Sequence, residues 1–234
     1  MSLNELKKTV KKSANPAQAK ILSRFFKTGE GEYGEGDKFL GIKVPISRAI
    51  AKQFNDLSLE EIQEVIKSSI HEERLIALFI LTEQFRKADE PKKKIIFNFY
   101  LKNTKRVNNW DLVDLSAEKI IGAYLMDKDK KVLFKLAKSK NLWERRIAIM
   151  STFHFIRNGF YETTLEIADL LLKDEHDLIH KAVGWMLREI GNRNLAVEEK
   201  YLKNNYKTMP RTMLRYAIEK FPEQKRQSYL KGEV

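Results

Sequence analysis

The sequence predicts an all-α protein, built as a curved solenoid of short helical repeats, and three observations support this. Only five prolines and ten glycines interrupt the 234 residues, which leaves long stretches in which helices can run without a break. Apolar residues in these stretches recur at spacings of three and four, and no alternation typical of strands is evident. Short segments of sequence also repeat along the chain, which is typical of stacked helical units.

The helical periodicity is clearest in the segment that begins at Glu73. Its apolar residues form a single stripe, as in a helix with one buried face: Ile76, Ala77, Ile80, Leu81 and Phe85. Turn-forming residues separate such segments from one another. They occur at Asn15-Pro16, 88–91, 138–141, Asn158-Gly159, 191–194 and Met209-Pro210. The chain is therefore predicted to consist of helices joined by short turns.

The internal repeats are weak but regular. Residues 73–79 align with residues 144–150, sharing Glu-Arg, a gap, Ile-Ala and two further apolar residues. Alanines in comparable helical settings are separated by 40, 31, 34 and 35 residues: Ala77, Ala117, Ala148, Ala182 and Ala217. A small residue at this point lets neighbouring helices approach closely, so one helix pair per step is predicted. A globular helical bundle with coincidental spacing is the alternative.

The charge of the chain favours a polyanionic partner. There are 44 lysines and arginines against 32 aspartates and glutamates, which gives a formal net charge of +12. Each phosphate that such a surface neutralises releases condensed counterions, and this release favours binding to nucleic acid. A basic protein without a nucleic-acid partner is the alternative that charge alone leaves open.

Several classes of site are excluded or disfavoured by the composition. The chain has no cysteine, so disulfides, thiolate metal sites and cysteine nucleophiles cannot form. The four histidines are scattered without the spacing of metal ligands, and we expect no metal and no cofactor. No apolar stretch approaches the length of a membrane span. We therefore expect a cytoplasmic protein with no membrane partner.

Four of the glycines lie in one short segment, between Gly29 and Gly36. Residues 29–34 have the spacing of a dinucleotide fingerprint, but that motif needs a strand before it and a helix after it. Here a predicted helix precedes the segment, and its glutamates would repel phosphate. We therefore expect no nucleotide cofactor, and we predict a flexible loop at about residues 28–38 in one continuous domain, 1–234. A mobile lid beside a ligand is the alternative role for this loop.

One candidate site lies where a helix is predicted to begin, after the N-capping asparagines at 108 and 109. Trp110 and Asp114 stand four residues apart and share one face of that helix. When the bond between a sugar and a cationic base breaks, positive charge develops on the sugar, and both a carboxylate and an aromatic face stabilise it. The same carboxylate can position or deprotonate the attacking water. A core-packed tryptophan beside a capping aspartate is the alternative.

A second candidate group lies on a later helix. Lys181, Trp185 and Arg188 are four and three residues apart and share a face. Basic residues that flank an aromatic ring at helical spacing are typical of a groove that binds phosphates. The alternative is a tryptophan buried between repeats, with Arg188 paired to a neighbouring glutamate.

Further cations are candidate contacts to a nucleic acid. Arg145 and Arg146 follow Trp143 at the start of a predicted helix, and we expect Trp143 itself to belong to the core. Lys105 and Arg106 add basic charge shortly before Trp110.

Five runs of sequence, in order along nearly the whole chain, resemble the DNA alkylation repair family, the AlkD-like HEAT-repeat DNA glycosylases. The runs are 28–42, 109–114, 141–148, 181–189 and 209–217. The resemblance implies a solenoid of HEAT-like repeats whose concave basic face holds duplex DNA and removes N3- and N7-alkylated purines without a metal or cofactor.

The same resemblance assigns roles to four residues. Asp114 would stabilise the developing oxocarbenium ion and place the water, Trp110 and Trp185 would pack against the sugar, and Arg146 would hold a backbone phosphate. One departure from the family concerns Phe25, which stands where the best-studied branch has a tyrosine.

The leading hypothesis is a monofunctional glycosylase, a hydrolase that acts as a monomer on duplex DNA containing alkylated bases. Its lesions already carry positive charge, which suits a site with no evident general acid. The first alternative is a helical-repeat protein that binds damaged or branched DNA without catalysis. The second is a scaffold that binds other proteins.

Overall fold

The computed structural model of the chain describes residues 2–234. Across this range the regular structure is helical, and the single β-bridge, between Lys38 and Ile70, lies outside any strand. The prediction of an all-α protein is confirmed. None of the described helices is both long enough and apolar enough to cross a membrane. The chain divides into two compact units, Met1–Ser116 and Ala117–Val234; one continuous domain stays a prediction.

The first unit is organised around a central buried helix, α5. Its helices are α1 (Leu3–Lys12), α2 (Pro16–Phe25), α3 (Val44–Gln53), α4 (Leu59–Ile66), α5 (His71–Lys87), α6 (Glu90–Lys102) and α7 (Trp110–Asp114). A 3₁₀ turn, Thr104–Arg106, lies between α6 and α7. Helices α3, α4, α6 and α7 all pack on α5. Because α5 is surrounded, its first eleven residues are all buried, including the charged residues of its first turn.

The second unit begins with a π-helical turn, Glu118–Gly122. Its helices are α8 (Ala123–Leu125), α9 (Lys131–Ala137), α10 (Leu142–Ser151), α11 (Phe153–Arg157), α12 (Glu162–Leu171), α13 (Asp177–Gly191), α14 (Leu195–Asn205), α15 (Arg211–Ala217) and α16 (Glu223–Lys231). Helix α13 packs between α10 and α15. Helices α9 and α12 pack on α10 and contact each other, and α12 and α14 pack on α13. This arrangement in two layers is typical of stacked helix pairs.

The five alanines of the predicted repeat are all fully buried: Ala77, Ala117, Ala148, Ala182 and Ala217. Four of them are the sixth or seventh residue of their helices, counted from the first residues of α5, α10, α13 and α15. Ala117 is the eighth residue counted from the start of α7. The unequal separations along the chain therefore reflect differences in the connections, while the position within the helix is nearly constant.

Two helical glycines show how closely the helices of the second unit approach. A Cβ on Gly184 would lie 2.6 Å from the Cβ of Tyr216, and nearer still to the carbonyl oxygen of Met213. A Cβ on Gly122 would lie 2.9 Å from the Cβ of His154. Since real Cβ atoms do not come this close to neighbours, only glycine permits this spacing.

An arginine contact that recurs in both units supports the sequence repeat. Arg74 donates through Nη1 to the carbonyl oxygen of Ser68, at 2.9 Å, and through Nη2 to Oδ1 of Asp37, at 2.6 Å. Arg145 donates to the carbonyl oxygen of Ser139, at 3.1 Å, and through Nε to Oδ2 of Asp174, at 2.6 Å. Each arginine thus binds a serine carbonyl six residues before it and an aspartate from another segment. We call this pair of contacts the arginine clamp.

Candidate active site

The helix that carries the first pair of candidate residues begins at Trp110, as predicted. Asn109 is its N-cap, and the Asn109 side chain accepts a hydrogen bond from the backbone nitrogen of Trp110 at 2.8 Å. The helix has only five residues, and Asp114 is the last of them. Its middle residues Leu112 and Val113 are completely buried. This buried pair fixes α7 in the core and leaves Trp110 and Asp114 half-buried.

The indole of Trp110 lies beside three other aromatic rings that contact one another. It stacks on Phe26, with 5.0 Å between the ring centroids and 20° between the planes. Phe26 stacks in turn on Phe39, with 5.0 Å between centroids, and Phe39 stacks on the imidazole of His71 at 4.5 Å. The imidazole also lies 5.1 Å from Phe26, tilted by 36°. We call these four rings the aromatic column. Phe25 meets the Trp110 ring edge-on at 5.8 Å and is 61% exposed.

The carboxylate of Asp114 lies near a buried hydroxyl. Tyr100 is completely buried, and its hydroxyl forms a 2.9 Å hydrogen bond with Oγ of Ser116. Burial raises the pKa of Tyr100, the bond to Ser116 partly offsets this, and the negative charge of Asp114 raises the pKa further. The phenol therefore stays protonated.

A buried polar network, which the sequence analysis did not predict, connects the glycine-rich loop to α7. The His71 ring lies between two carboxylates, with Nδ1 at 3.1 Å from Oδ2 of Asp37 and Nε2 at 2.8 Å from Oδ2 of Asp111. Asp37 also accepts the hydrogen bond from Arg74 that belongs to the arginine clamp, and a further one from Asn109 Nδ2 at 3.3 Å. Burial opposes ionisation of Asp37, but the hydrogen bond from His71 and the charge of Arg74 outweigh it and lower the pKa of Asp37.

The segment that follows the glycine-rich loop is anchored by the same helix, α5. The buried carboxylate of Glu72 accepts hydrogen bonds from three consecutive backbone nitrogens, those of Leu40, Gly41 and Ile42, at 2.8–3.1 Å. The backbone of Lys38 also pairs with the chain around Ile70. Residues 29–36 form consecutive turns and bends, and Asp37 after them is buried. The flexibility of the loop at about residues 28–38 stays a prediction.

In the second unit, Trp185 is held by a carboxylate on its own helix. Its Nε1 donates to Oε1 of Glu189 at 3.1 Å, and Arg193 pairs with the other oxygen of Glu189 at 2.7 Å. The ring of Phe153 lies 6.1 Å from the indole, and the guanidinium groups of Arg157 and Arg193 lie over that phenyl ring. Trp185 is half-buried, so part of the indole remains accessible. The two arginines near it pair with Glu118 and Glu189.

The two arginines on α10 have structural contacts. Arg146 is buried, and its Nη1 donates to the carbonyl oxygen of Leu178, at the start of α13, at 2.6 Å. Arg145 forms the second arginine clamp. Trp143 is buried, so the expectation that it belongs to the core is confirmed.

The remaining predicted cations differ in their surroundings. Lys181 pairs with Asp177 at 2.7 Å, and Arg188 pairs with Glu219. The pairing of Arg188 matches the alternative in which a glutamate neutralises it. Lys105 and Arg106 are exposed on the 3₁₀ turn that precedes α7.

The part of the chain that the structure describes contains no cluster of three histidine, aspartate or glutamate residues suited to a metal ion.

Comparisons with known proteins agree with the resemblance. A model of the family described as DNA alkylation repair enzyme matches residues 6–221, whereas a search of curated proteins finds no significant match. The solved structure of a predicted DNA alkylation repair enzyme from Enterococcus faecalis has a TM-score of 0.70 at 17% identity, and the match covers 90% of this chain and 98% of that one.

AlkD2 from Streptococcus mutans has a TM-score of 0.56 at 18% identity, over 88% of this chain and 98% of its own. At these identities the likeness shows the fold, and it confirms the prediction of a helical-repeat architecture. Because the family model matches more than half of the sequence, the chain belongs to the DNA alkylation repair enzyme family.

Proposed function

We propose that this protein is a DNA glycosylase that hydrolyses the N-glycosidic bond of N3- and N7-alkylated purines, such as 3-methyladenine and 7-methylguanine, in duplex DNA. Membership of the alkylation repair family supports a repair role with DNA as the partner. The observation that carries the finer proposal is the pairing, on one short helix, of a carboxylate at Asp114 with the Trp110 ring, which the aromatic column holds in place.

The chemistry of the lesion determines what the site must supply. An N3- or N7-alkylated purine carries a positive charge, so the bond between its nitrogen and the sugar C1′ breaks with both electrons passing to the base. The base leaves as a neutral molecule, and an oxocarbenium ion develops on the sugar. Because the leaving group needs no further proton, stabilising the sugar cation is the main task of the enzyme.

Asp114 performs that task in this proposal. A carboxylate beside C1′ stabilises the developing cation and orients a water molecule for attack at the same carbon. The water oxygen forms the new bond to C1′, its proton passes to the carboxylate or to solvent, and an abasic site remains. A neighbouring aromatic face adds attraction for the cation. We assign this contribution to Trp110, and we assign Trp185 a packing contact with the sugar.

The cations of the chain would hold the phosphates on either side of the lesion. Lys105 and Arg106 are exposed and suit this role directly. Lys181, Arg145 and Arg188 each pair with a carboxylate, so phosphate would have to compete with that partner. The phosphate contact of Arg146 stays a prediction, because its bond to Leu178 also gives it a role in fixing the start of α13.

Release of the modified base tests the proposal. Duplex DNA with one 7-methylguanine, and duplex DNA with one 3-methyladenine, are incubated with the purified full chain under single-turnover conditions. We expect release of free base and an abasic site. Asp114→Asn should lower the rate about 100-fold or more, the scale seen when a preorganised charge is removed. Asp129→Asn, which alters a carboxylate that is 62% exposed, is the matched control and should change the rate less than about twofold.

Two results would contradict the proposal. If the wild type binds the damaged duplexes but releases neither base, the chain fits the alternative of damage binding without catalysis. If the Asp114→Asn variant releases base at the wild-type rate, the catalytic role of Asp114 is wrong.

A further inference from the structure

The His71 side chain is a buried base in an unusual position. It is 1% exposed, and each ring nitrogen faces a carboxylate oxygen, that of Asp37 at one end and that of Asp111 at the other. A neutral imidazole has one N–H and one lone pair, so it can donate to only one of them. An imidazolium donates to both, so this geometry fits the protonated ring.

The charges around the ring lead to the same conclusion. Asp37 and Asp111 supply two carboxylates, and the Arg74 guanidinium supplies one positive charge. Among these four groups, a protonated His71 brings the sum of charges to zero, whereas a neutral ring leaves one negative charge in excess. The carboxyl groups of Glu72 and Glu73, on the same turn of α5, are also buried. Burial disfavours the protonated ring, but the charge and hydrogen bond of Asp111, with the bond to Asp37, outweigh it and raise the pKa of His71 to about 9.

The two carboxylates belong to the two segments that set the position of Trp110. Asp111 is the residue after Trp110 in α7, and its Oδ1 also accepts from the backbone nitrogen of Leu112 at 2.8 Å. Asp37 belongs to the loop that supplies Phe39 to the aromatic column. The imidazole ring is itself a member of that column, stacked on Phe39 and 5.1 Å from Phe26, the ring on which Trp110 stacks. His71 thus contacts both the backbone and the stacked rings that support the indole.

We propose that His71 is a positioning residue of the candidate site: its imidazolium ties Asp37 of the glycine-rich loop to Asp111 of α7 and so fixes the orientation of the Trp110 ring. The effect of His71 on catalysis rests on the proposed function. The effect of His71 on the orientation of the Trp110 ring is independent of that function.

The experiment combines a spectroscopic and a kinetic measurement on the full chain. The chain has three tryptophans, so ¹⁵N-indole labelling gives three Nε1 resonances, and loss of one in Trp110→Phe identifies that of Trp110. We expect this resonance to shift between pH 7 and 10 with a midpoint near 9. In His71→Gln, which is uncharged at all these pH values, the shift should vanish. Glu64→Gln, which removes one carboxylate of an exposed ion pair, is the control and should keep it.

The kinetic measurement separates positioning from a purely structural role. At pH 7.5, His71→Gln should lower the excision rate about tenfold, the order expected when a reacting group is slightly misplaced. Affinity for undamaged duplex should stay within about twofold, because no phosphate contact is altered. The wild-type rate should fall above pH 9, and this alkaline decrease should be absent in the variant.

The outcomes distinguish the two proposals. If the Trp110 resonance is unchanged from pH 7 to 10, or shifts equally in His71→Gln, the positioning role is wrong, whatever the excision assay gives. If the resonance titrates as expected but the wild type releases no base, the proposed function fails and the structural role of His71 stands. Should His71→Gln fail to fold, the wild-type titration alone decides, because it needs no variant.

Discussion

The indole of Trp110 and the ring of Phe26 are nearly parallel, 20° apart, with their centroids 5.0 Å from each other. Phe26 is buried, and Trp110 is half-buried. The ring proposed to face the substrate is therefore supported by a core residue that does not itself reach the surface. This relationship makes the orientation of Trp110 dependent on the packing of the first unit.

Replacing Phe26 by leucine should separate support of Trp110 from general stability. We expect Phe26→Leu to reduce the free energy of unfolding by about 1–2 kcal/mol, as for other losses of buried ring volume, and to lower base release about tenfold. Phe54→Leu removes a ring of similar burial that does not belong to the aromatic column. In urea denaturation, Phe54→Leu should lose a similar free energy of unfolding. Its rate of base release should stay within about twofold of the wild-type rate. Equal losses of activity in both variants would contradict a specific role for Phe26.

The pKa of His71 makes the stability of the chain depend on pH. The folded-state pKa of about 9 lies above the ordinary value of 6.5, so folding favours the protonated ring. This contribution is fully present below pH 6.5 and is lost as the pH rises to about 9. Urea denaturation should show a loss of up to about 3 kcal/mol over that window. In His71→Gln the pH dependence in this window should be smaller. The same dependence in the variant would show that another group is responsible.

Glu198 should have a similar effect over a different range of pH. The residue is 1% exposed, burial raises the pKa of its carboxyl to about 8, and the charge of Glu199 contributes. Its stabilising contribution is therefore present below pH 4.5 and is lost as the pH rises through 8, because the ionised carboxylate is poorly solvated. We expect Glu198→Gln to raise the Tm at pH 9 and to leave it nearly unchanged at pH 4.5. A constant difference between the two proteins at both pH values would contradict this explanation.

Gly184→Ala tests the close approach of α13 and α15. Helix propensity alone predicts that alanine stabilises a helix by about 1 kcal/mol. Here the new methyl group would overlap the backbone of Met213 and the Cβ of Tyr216. We therefore expect a net loss of about 1–3 kcal/mol, measured by thermal denaturation, with a larger loss for Gly184→Ser. An increase in Tm for the alanine variant would show that the two helices separate without cost.

The salt dependence of duplex binding tests the phosphate contacts. The logarithm of the affinity should fall linearly with the logarithm of the salt concentration. Lys105→Gln and Arg106→Gln each remove one positive charge. Each variant should reduce the magnitude of this slope by about one, the contribution of a single phosphate contact. Lys67→Gln, on an exposed lysine that already pairs with Glu64, is the control. A slope near zero for the wild type would contradict phosphate binding altogether.

The sequence was sufficient for the features that depend on local patterns. The helical repeats were predicted from three such patterns, namely the amphipathic periodicity, the turn residues and the spacing of the alanines. Each pattern concerns one helix or one turn. The start of α7 at Trp110 followed from the capping preference of Asn109. These signals are contained in a few adjacent residues, so one sequence is enough to find them.

The polar network could not be found in the same way. His71 is 34 residues from Asp37 and 40 from Asp111, and nothing in the spacing of these residues indicates that they meet. One signal was available, namely the charged run from His71 to Arg74, directly before the apolar run Leu75–Leu81. Charges on a buried helix need partners, so the run predicts a network, although the identity of the partners depends on the fold.

The arginine clamp has a consequence for how such a chain could be rebuilt. The serine carbonyl and the arginine lie within seven consecutive residues, so a block of sequence transplanted elsewhere carries this half of the contact with it. The aspartate comes from a different segment, on the N-terminal side for Arg74 and on the C-terminal side for Arg145. A designer who duplicates, deletes or exchanges repeats must therefore restore a matching acidic residue at each new junction. Otherwise the transplanted module carries a guanidinium with no counter-ion, in the core for Arg74 and in a half-buried position for Arg145.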